Sequence, residues 1–282
     1  MYSSQRDIFY LKIGGFFLKV IFEPIIDERF KFDFMRSKLI SEFKDHTLGF
    51  ITQEPKNKCD AVIRIINQPN IERVKRKADN YYFIHHYIKK SEVSYITFYQ
   101  TSNWQLNALL EDILHVLLTK NNGFEIHASS ILINDKVYLF LGKSGAGKST
   151  ISTFLSSRYK LLSDDMVIVR KYNSKYFVFQ TPFFERNTSI MKSSGRYPIE
   201  KVFFIEKNID VHSTEIMNSK KVFSLLLKHV QVGNSHGATS SLSYLREFSN
   251  IKGIFFSLQF PKNERKVLRF FRDSFNQDES KI

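Results

Sequence analysis

Eight consecutive residues, Gly142–Ser149, have the composition and spacing of a phosphate-binding loop. Their sequence, GKSGAGKS, fits the pattern G-x-x-x-x-G-K-[ST] at every fixed position. Glycines let the backbone fold tightly enough for consecutive N–H groups to face phosphate oxygens. Lys148 would bring a mobile positive charge to the β- and γ-phosphates of a nucleotide, and the Ser149 hydroxyl would ligate Mg²⁺. The motif therefore predicts that the chain binds ATP together with Mg²⁺.

The segments on either side of this loop have the character that such a motif requires. An apolar strand is predicted over Val137–Leu141, and a helix is predicted from about Lys148 to Ser157. The N-terminus of that helix would point at the bound anion. A chance glycine-rich turn would need neither the strand nor the helix. We therefore expect nucleotide contacts from Gly142, Ser144, Gly145, Ala146, Gly147, Lys148, Ser149 and Thr150.

A pair of aspartates, Asp164 and Asp165, follows the loop by one helix and one short predicted strand, Lys160–Leu162. One carboxylate can hold Mg²⁺, while the other accepts a proton from an attacking hydroxyl. An Asp-Asp pair is also common in surface turns. The phosphate-binding loop upstream favours the chemical interpretation, although the residues alone do not order the two roles.

His127 stands in an otherwise apolar segment, FEIHASSIL. We predict one strand over Phe124–Ile133, a tight turn at Asn134–Asp135, and a returning strand over Lys136–Leu141. The strand that carries His127 should then run antiparallel to the strand before the loop, which would bring its imidazole close to the phosphates. Such a histidine is also common as a hydrogen-bonded core or edge residue.

Two domains are expected, a strand-rich N-terminal domain over residues 1–104 and a phosphate-binding domain over residues 105–282. A helix is predicted over Asn103–Lys120, where apolar positions recur on one face; it either bridges the domains or opens the second one. Strands are predicted in the first domain by alternation and aromatic content over Asp7–Phe17, Ala61–Ile66 and Val93–Tyr99. Further predicted elements are a hairpin of Met166–Arg170 and Tyr176–Gln180 around Asn173–Ser174, a strand over Lys201–Ile205, and helices over Ser219–His229 and Glu264–Phe275.

Composition narrows the class of protein. The chain has 282 residues, 43% apolar and 15% aromatic, so it can bury a substantial core. Its net charge of +14 favours anionic partners. Nucleic acid is disfavoured as a partner, because the basic residues are scattered along the sequence. The lone Cys59 excludes an internal disulfide. No apolar run reaches the ~18 residues of a membrane span, and no secretion signal is visible. We therefore expect a cytoplasmic protein. A homo-oligomer is compatible with the sequence.

The run HASSILINDKVYLFLGKSGAGKST, followed by KLLSDDMVIVR, resembles the catalytic domain of HPr kinase/phosphorylase and its relatives, which share a fold core with phosphoenolpyruvate carboxykinase. The matching features are His127, the loop and the Asp-Asp pair. The resemblance implies a mixed-sheet α/β core, with Mg²⁺ held by Ser149 and Asp164. It further implies that Asp165 is the general base, with His127 and Lys148 completing the catalytic set.

The resemblance covers roughly residues 126–204. Thr181–Phe183 and Tyr197–Phe204 also look like the smaller kinases of this superfamily, including lasso-peptide tailoring kinases. The glutamate-containing, glycine-rich signature of the bifunctional enzymes is missing, which disfavours HPr as the substrate and puts phosphorylase activity in doubt. Glu185–Arg186 lies in the corresponding region. Glu185 could be a metal ligand and Arg186 a phosphate contact, but the favoured interpretation is a salt bridge at the surface. The N-terminal domain gives no recognisable match to the usual N-terminal domain of this family.

The leading hypothesis from the sequence is an ATP-dependent kinase that phosphorylates a hydroxyl, preferably a serine of a peptide or protein. The alternatives are a kinase for a small hydroxylated molecule, such as free serine or a sugar, and a regulator that binds ATP without transferring phosphate. Asp164, Asp165 and His127 beside an intact loop favour an enzyme, because binding alone needs no general base. A carboxykinase is disfavoured, since neither a dicarboxylate site nor a second-metal cluster is visible.

Overall fold

The structure is a computed structural model that describes residues 5–25, 33–67, 73–75, 82–84, 87–183, 190–231 and 238–279. The chain divides into two compact units, Met1–Leu117 and Leu118–Ile282. The boundary between them lies near the C-terminal end of helix Asn103–Lys120, whereas the sequence-based proposal places it between residues 104 and 105. Across the described ranges, no helix is both long and apolar enough to cross a membrane.

The N-terminal unit is rich in strands, as predicted. Its main sheet is mixed and, within the described residues, has six strands in the order β3-β1-β2-β4-β8-β7. Its elements are β1 (Asp7–Ile13), β2 (Phe16–Phe22), α1 (Asp33–Thr47), β3 (Ile51–Thr52), β4 (Ala61–Ile66), β5 (Arg73–Lys75), β6 (Tyr82–Ile84), β7 (Tyr87–Ser91), β8 (Ser94–Phe98) and α2 (Asn103–Lys120). The short strands β5 and β6 pair with each other.

Two features of this unit differ from the sequence-based prediction. The predicted strand Asp7–Phe17 is instead the antiparallel hairpin of β1 and β2. Gly14 and Gly15 form its turn with φ of 59° and 81°, a left-handed conformation that glycine adopts without steric cost. Helix α1 was not predicted; it buries Phe43, but Phe34 is 76% exposed, so the apolar residues do not keep to one face.

The C-terminal unit is built on one large mixed sheet. Within the described residues this sheet has ten strands, along the path β12-β10-β11-β15-β14-β13-β9-β17, with β18 paired to β15 and β16 paired to β18. Its strands are β9 (Gly123–His127), β10 (Ser129–Ile133), β11 (Lys136–Leu141), β12 (Lys160–Ser163), β13 (Met166–Tyr172), β14 (Lys175–Gln180), β15 (Arg196–Lys207), β16 (His212–Glu215), β17 (Val230–Gln231) and β18 (Phe255–Phe260). Its helices are α3 (Lys148–Ser156), α4 (Ser219–Leu226), α5 (Ala238–Ser249) and α6 (Glu264–Glu279).

Strand β11, which leads into the phosphate-binding loop, is buried on both faces. Leu139 packs in one apolar cluster together with residues of α4 and α5, among them Leu226 and Phe248. Phe140 packs in a second cluster with residues of α3 and α6, among them Leu155 and Phe271. This double burial explains why Val137–Leu141 is a continuous apolar run rather than an alternating one.

The sheet corrects the prediction for the strand that carries His127. The segment Phe124–Ile133 is not one strand, because it breaks at Ala128 into β9 and β10. It is β10 that pairs antiparallel with β11, whereas β9 pairs with β13 and β17. At the break, the Ala128 N–H donates to the carbonyl oxygen of Asp165 at 3.0 Å, so this residue is bonded outside the β10–β11 ladder.

The other predicted elements of this unit are present, with different ends in places. The turns at Asn134–Asp135 and Asn173–Ser174 have positive φ at each residue, as tight hairpin turns require. Helix α4 ends at Leu226 rather than His229, where the chain turns into β17. Strand β15 and helix α6 are longer than predicted, and α5, β16, β17 and β18 were not predicted.

The burial of β11 makes a prediction about stability. Leu139 is fully buried, so Leu139→Ala should lower the free energy of unfolding by about 2–5 kcal/mol through lost burial and a residual cavity. The control is Met217→Ala at a side chain that is 77% exposed, which should change stability by less than about 0.5 kcal/mol. Urea unfolding followed by circular dichroism measures both. Equal effects of the two variants would contradict the burial of Leu139 in the core.

Candidate phosphotransfer site

The phosphate-binding loop is held where β11 passes into α3, and glycine is required at its end. Gly147 has φ of 109° and immediately precedes α3. A Cβ atom at this position would lie 2.9 Å from the Phe260 ring. Gly145 also has positive φ, 78°, but a Cβ atom there would meet nothing within 4 Å. The backbone therefore needs glycine at both positions, and close packing needs it at Gly147.

Lys148 lies at the start of α3 with its side chain folded back over the loop. Its Nζ donates a hydrogen bond to the carbonyl oxygen of Gly142 at 2.6 Å. The main chain of the same turn is also engaged, since Ser152 Oγ donates to the Lys148 carbonyl oxygen at 3.0 Å. The ammonium group is thus directed at the loop where a phosphate would bind.

The two aspartates lie in the turn between β12 and β13, and the backbone of this turn is fixed from both sides. Ser163 Oγ donates to the Met166 carbonyl oxygen at 3.0 Å and accepts from the Asp165 N–H at 3.3 Å. From β10, Ser129 Oγ donates to the Asp164 carbonyl oxygen at 3.4 Å. These contacts hold the main chain of the turn, and both aspartates line the cleft described below.

His127 is brought to Asp165 from the end of β9. Its Nδ1 lies 3.6 Å from Asp165 Oδ1, and its backbone N–H donates to the His229 carbonyl oxygen at 2.8 Å. Hydrogen bonding to the Asp165 side chain, together with the charge of that carboxylate, raises the pKa of His127, against the opposing effects of burial and Lys148. Both side chains are about half exposed, at 48% and 49%.

His229 is the buried member of this group. Its side chain is 8% exposed, and burial, followed by the positive charges of Lys148 and His127, lowers its pKa to about 4. His229 is therefore neutral at physiological pH. The sequence did not single it out, because it lies far along the chain from the loop and no motif includes it.

The loop, the two aspartates and His127 line one cleft of about 400 Å³, whereas His229 does not line it. Its lining is His127, Lys143, Ser144, Gly145, Gly147, Lys148, Ser149, Thr150, Asp164, Asp165 and Lys207. All but Lys143 and Lys207 are site residues proposed from the sequence. The proposed residues Gly142 and Ala146 line a neighbouring cavity instead. Lys207 was missed because it ends β15, and only the parallel pairing of β15 with β11 brings that end beside the loop.

The cleft offers oxygen ligands suited to Mg²⁺. Within the described residues, no group of three or more His, Cys, Asp or Glu side chains could hold a metal ion. Mg²⁺ in nucleotide sites commonly takes one or two protein oxygens, together with phosphate oxygens and water. Ser149 and Asp164 line the same cleft and fit that mode of binding. The other ligand considered from the sequence, Glu185, lies with Arg186 outside the described residues.

Comparison with known proteins supports the resemblance seen in the motifs. The HPr kinase/phosphorylase of Mycoplasmopsis pulmonis (strain UAB CTIP) is 28% identical over 124 residues, which are 44% of this chain and 39% of that protein. This chain thus spans well under half of the relative's length. The solved HPr(Ser) kinase/phosphatase from Coxiella burnetii aligns with 55% of this chain and 98% of its own, at 13% identity and a TM-score of 0.34. No protein-family model matches the chain.

The predicted similarity to HPr kinase/phosphorylase is confirmed by the curated relative. The mixed-sheet α/β core and the strand-rich N-terminal part are likewise confirmed by the structure. The narrower similarity to lasso-peptide kinases stays a prediction, as do the roles of the individual site residues.

The contact between His127 and Asp165 predicts a shift that titration can measure. Asp165→Asn removes the carboxylate and should lower the pKa of His127, whereas Asp164→Asn should change it much less. Imidazole resonances followed by NMR, assigned by comparison with His127→Asn, report the change. Because folding raises this pKa from 6.5, the pair stabilises the fold below that pH and loses its effect as pH rises through the raised value. An equal shift in both variants would contradict a specific contact with Asp165.

Proposed function

We propose that this protein is an ATP-dependent kinase that transfers the γ-phosphate to a hydroxyl, with a serine of a peptide or protein as the preferred acceptor. The observation that supports the proposal is the composition of one cleft. A phosphate-binding loop, two carboxylates and a histidine, which come from separate elements of the C-terminal unit, all line it. The similarity to an HPr kinase/phosphorylase over 124 residues points the same way.

The loop and Lys148 would bind the triphosphate. In the structure Lys148 Nζ donates to a neutral carbonyl oxygen, and a phosphate oxygen is a stronger acceptor for an ammonium group. Ser149 and Asp164 would hold Mg²⁺, which, when bound, neutralises charge on the β- and γ-phosphates. Lys143 and Lys207 add positive charge at the rim of the cleft. These groups position the γ-phosphate and stabilise the charge that develops during transfer.

Asp165 would act on the acceptor. As the acceptor oxygen forms its bond to the γ-phosphorus, the bond from that phosphorus to the β-bridging oxygen breaks, and ADP leaves with that electron pair. The proton of the acceptor hydroxyl passes to the Asp165 carboxylate. His127, 3.6 Å away, would orient that carboxylate, and in its protonated form it would hold it ionised.

The relative's name includes both HPr and a phosphorylase activity. The glutamate-containing, glycine-rich signature of bifunctional enzymes is missing from the sequence, which argues against each of them. A regulator that only binds ATP is the alternative from another class, and a small-metabolite kinase is the alternative among enzymes. A panel of HPr, serine peptides, free serine and sugars incubated with labelled ATP distinguishes these functions.

Asp165→Asn separates a kinase from a protein that only binds ATP. The amide retains the size of the side chain but cannot accept a proton, so transfer should fall by about 10²–10⁴-fold while MgATP affinity stays close to wild type. Asp164→Asn is the comparison variant, and it should also raise the Mg²⁺ concentration needed for half-maximal rate. Transfer is measured with labelled ATP on folded variants. A wild-type rate in Asp165→Asn would remove this residue as the base.

Nucleotide binding can be tested without an acceptor. MgATP at about 100 times its dissociation constant should stabilise the native chain by about 2.7 kcal/mol, seen as a rise in unfolding temperature. Lys148→Ala should abolish most of this rise, because it removes the ammonium group directed at the loop. Lys136→Ala, at an exposed lysine of β11 away from the cleft, is the matched control. The absence of any MgATP-dependent shift in the wild-type protein would count against the assignment of the loop.

A further inference from the structure

A second cavity lies against the first half of the phosphate-binding loop. It has a volume of about 400 Å³ and is lined by Leu141, Gly142, Lys143, Ser144, Gly145, Ala146, Phe204, Ile205, Glu206, Lys207, Leu225, Lys228 and His229. Lys143, Ser144, Gly145 and Lys207 line the catalytic cleft as well, so the two spaces adjoin. A ligand in the second cavity would therefore lie next to a triphosphate bound in the first.

The charged residues around this cavity favour an anion. Lys143, Lys207 and Lys228 line it, against the carboxylate of Glu206. His229 is neutral for the reasons given above, so it offers a hydrogen bond rather than a charge. Phe204 and Leu225 supply apolar surface. The lining thus suits a small group that combines a negative charge with a short apolar portion.

The nucleotide has a better place in the adjoining cleft. Gly147, Lys148, Ser149 and Thr150 form the start of α3, where phosphates bind, and they line the cleft but not the second cavity. Lys228 lines only the second cavity. This separation leaves the second cavity available to the other reactant.

We propose that the second cavity binds the phosphate acceptor through a carboxylate that lies close to the reacting hydroxyl, with Lys228 as its main cationic contact. This inference rests on the proposed kinase function and narrows its substrate to acidic acceptors. The carboxylate belongs either to a small hydroxy acid or to an acidic residue beside a serine in a peptide.

The test uses acceptors that differ only in this group. N-acetylserine is compared with N-acetylserinamide, and a serine peptide with flanking aspartates is compared with one carrying asparagines. The wild-type protein should phosphorylate the acid of at least one pair with the lower KM, and the pair that shows the effect identifies the source of the carboxylate. Lys228→Gln should raise the KM for that acid by about tenfold or more, because the neutral amide removes the positive charge that attracts the carboxylate. It should leave the KM for the matching amide unchanged.

Lys220→Gln is the matched control, because Lys220 is likewise an exposed lysine of the α4 region but lines neither the cleft nor the second cavity. It should leave the KM for every acceptor unchanged. Equal use of acids and amides by the wild-type protein would overturn the inference. If Lys228→Gln raised the KM for MgATP but not the KM for the acceptor, the cavity would belong to the nucleotide. That result would also overturn the inference.

Failure of the kinase function would be distinguishable from failure of the cavity assignment. If no hydroxyl is phosphorylated, the proposed function is wrong, and calorimetry with N-acetylserine and the acidic peptide on the MgADP-bound protein decides about the cavity. The site would be supported if either acid bound and if Lys228→Gln, but not Lys220→Gln, weakened that binding. No binding of either acid would overturn it.

Discussion

The passage of the chain from a buried strand into a helix within Gly142–Gly147 is the constraint on which the C-terminal unit depends. A Cβ atom at Gly142 would lie 2.8 Å from Ile205, and one at Gly147 would lie 2.9 Å from Phe260. Both neighbours belong to strands, β15 and β18, in the parallel set that includes β11. The packing that holds the loop therefore also determines which strand ends lie around it. One of them is the end of β15, and its last residue, Lys207, lines the cleft.

The residues of the candidate site reach the loop because β15 joins two parts of the sheet. The N-terminal part of β15 pairs with β14, and its longer C-terminal part pairs with β11 and β18. The β14 side leads through β13 to β9 and His127, and the β11 side leads through β10 to β12 and the aspartates. The break at Ala128 connects the two sides, since its N–H bonds to Asp165 and its neighbour His127 contacts the same residue. Asp165 is thus held by chain segments that belong to different parts of one sheet.

The sequence predicted what local patterns encode. The loop, its flanking strand and helix, the hairpin turns with Asn and Asp at positive φ, and helix α2 were all predicted, because each depends on a few adjacent residues. The motif and the Asp-Asp pair likewise indicated most of the residues that line the cleft. The pairing partner of β9 was predicted wrongly, since the ten residues Phe124–Ile133 carry no local sign of the break at Ala128, whose N–H bonds to the carbonyl oxygen of Asp165. Lys207 and His229 were also missed, because only the order of the strands in the sheet places them near the loop.

The distribution of charge around the loop would let one small region bind the two anionic reactants that we propose. The Lys148 ammonium group is directed at the loop by its hydrogen bond to the Gly142 carbonyl oxygen. A phosphate oxygen, as a stronger acceptor, could take the place of that carbonyl oxygen. Lys143 and Lys207 border both spaces, so their charge acts on ligands in either one. A protonated His229 would add a further positive charge next to Lys148 inside the protein, and burial prevents this by lowering its pKa to about 4. Positive charge is therefore carried by the exposed side chains of Lys143, Lys207 and Lys228, while the buried side chain of His229 is neutral.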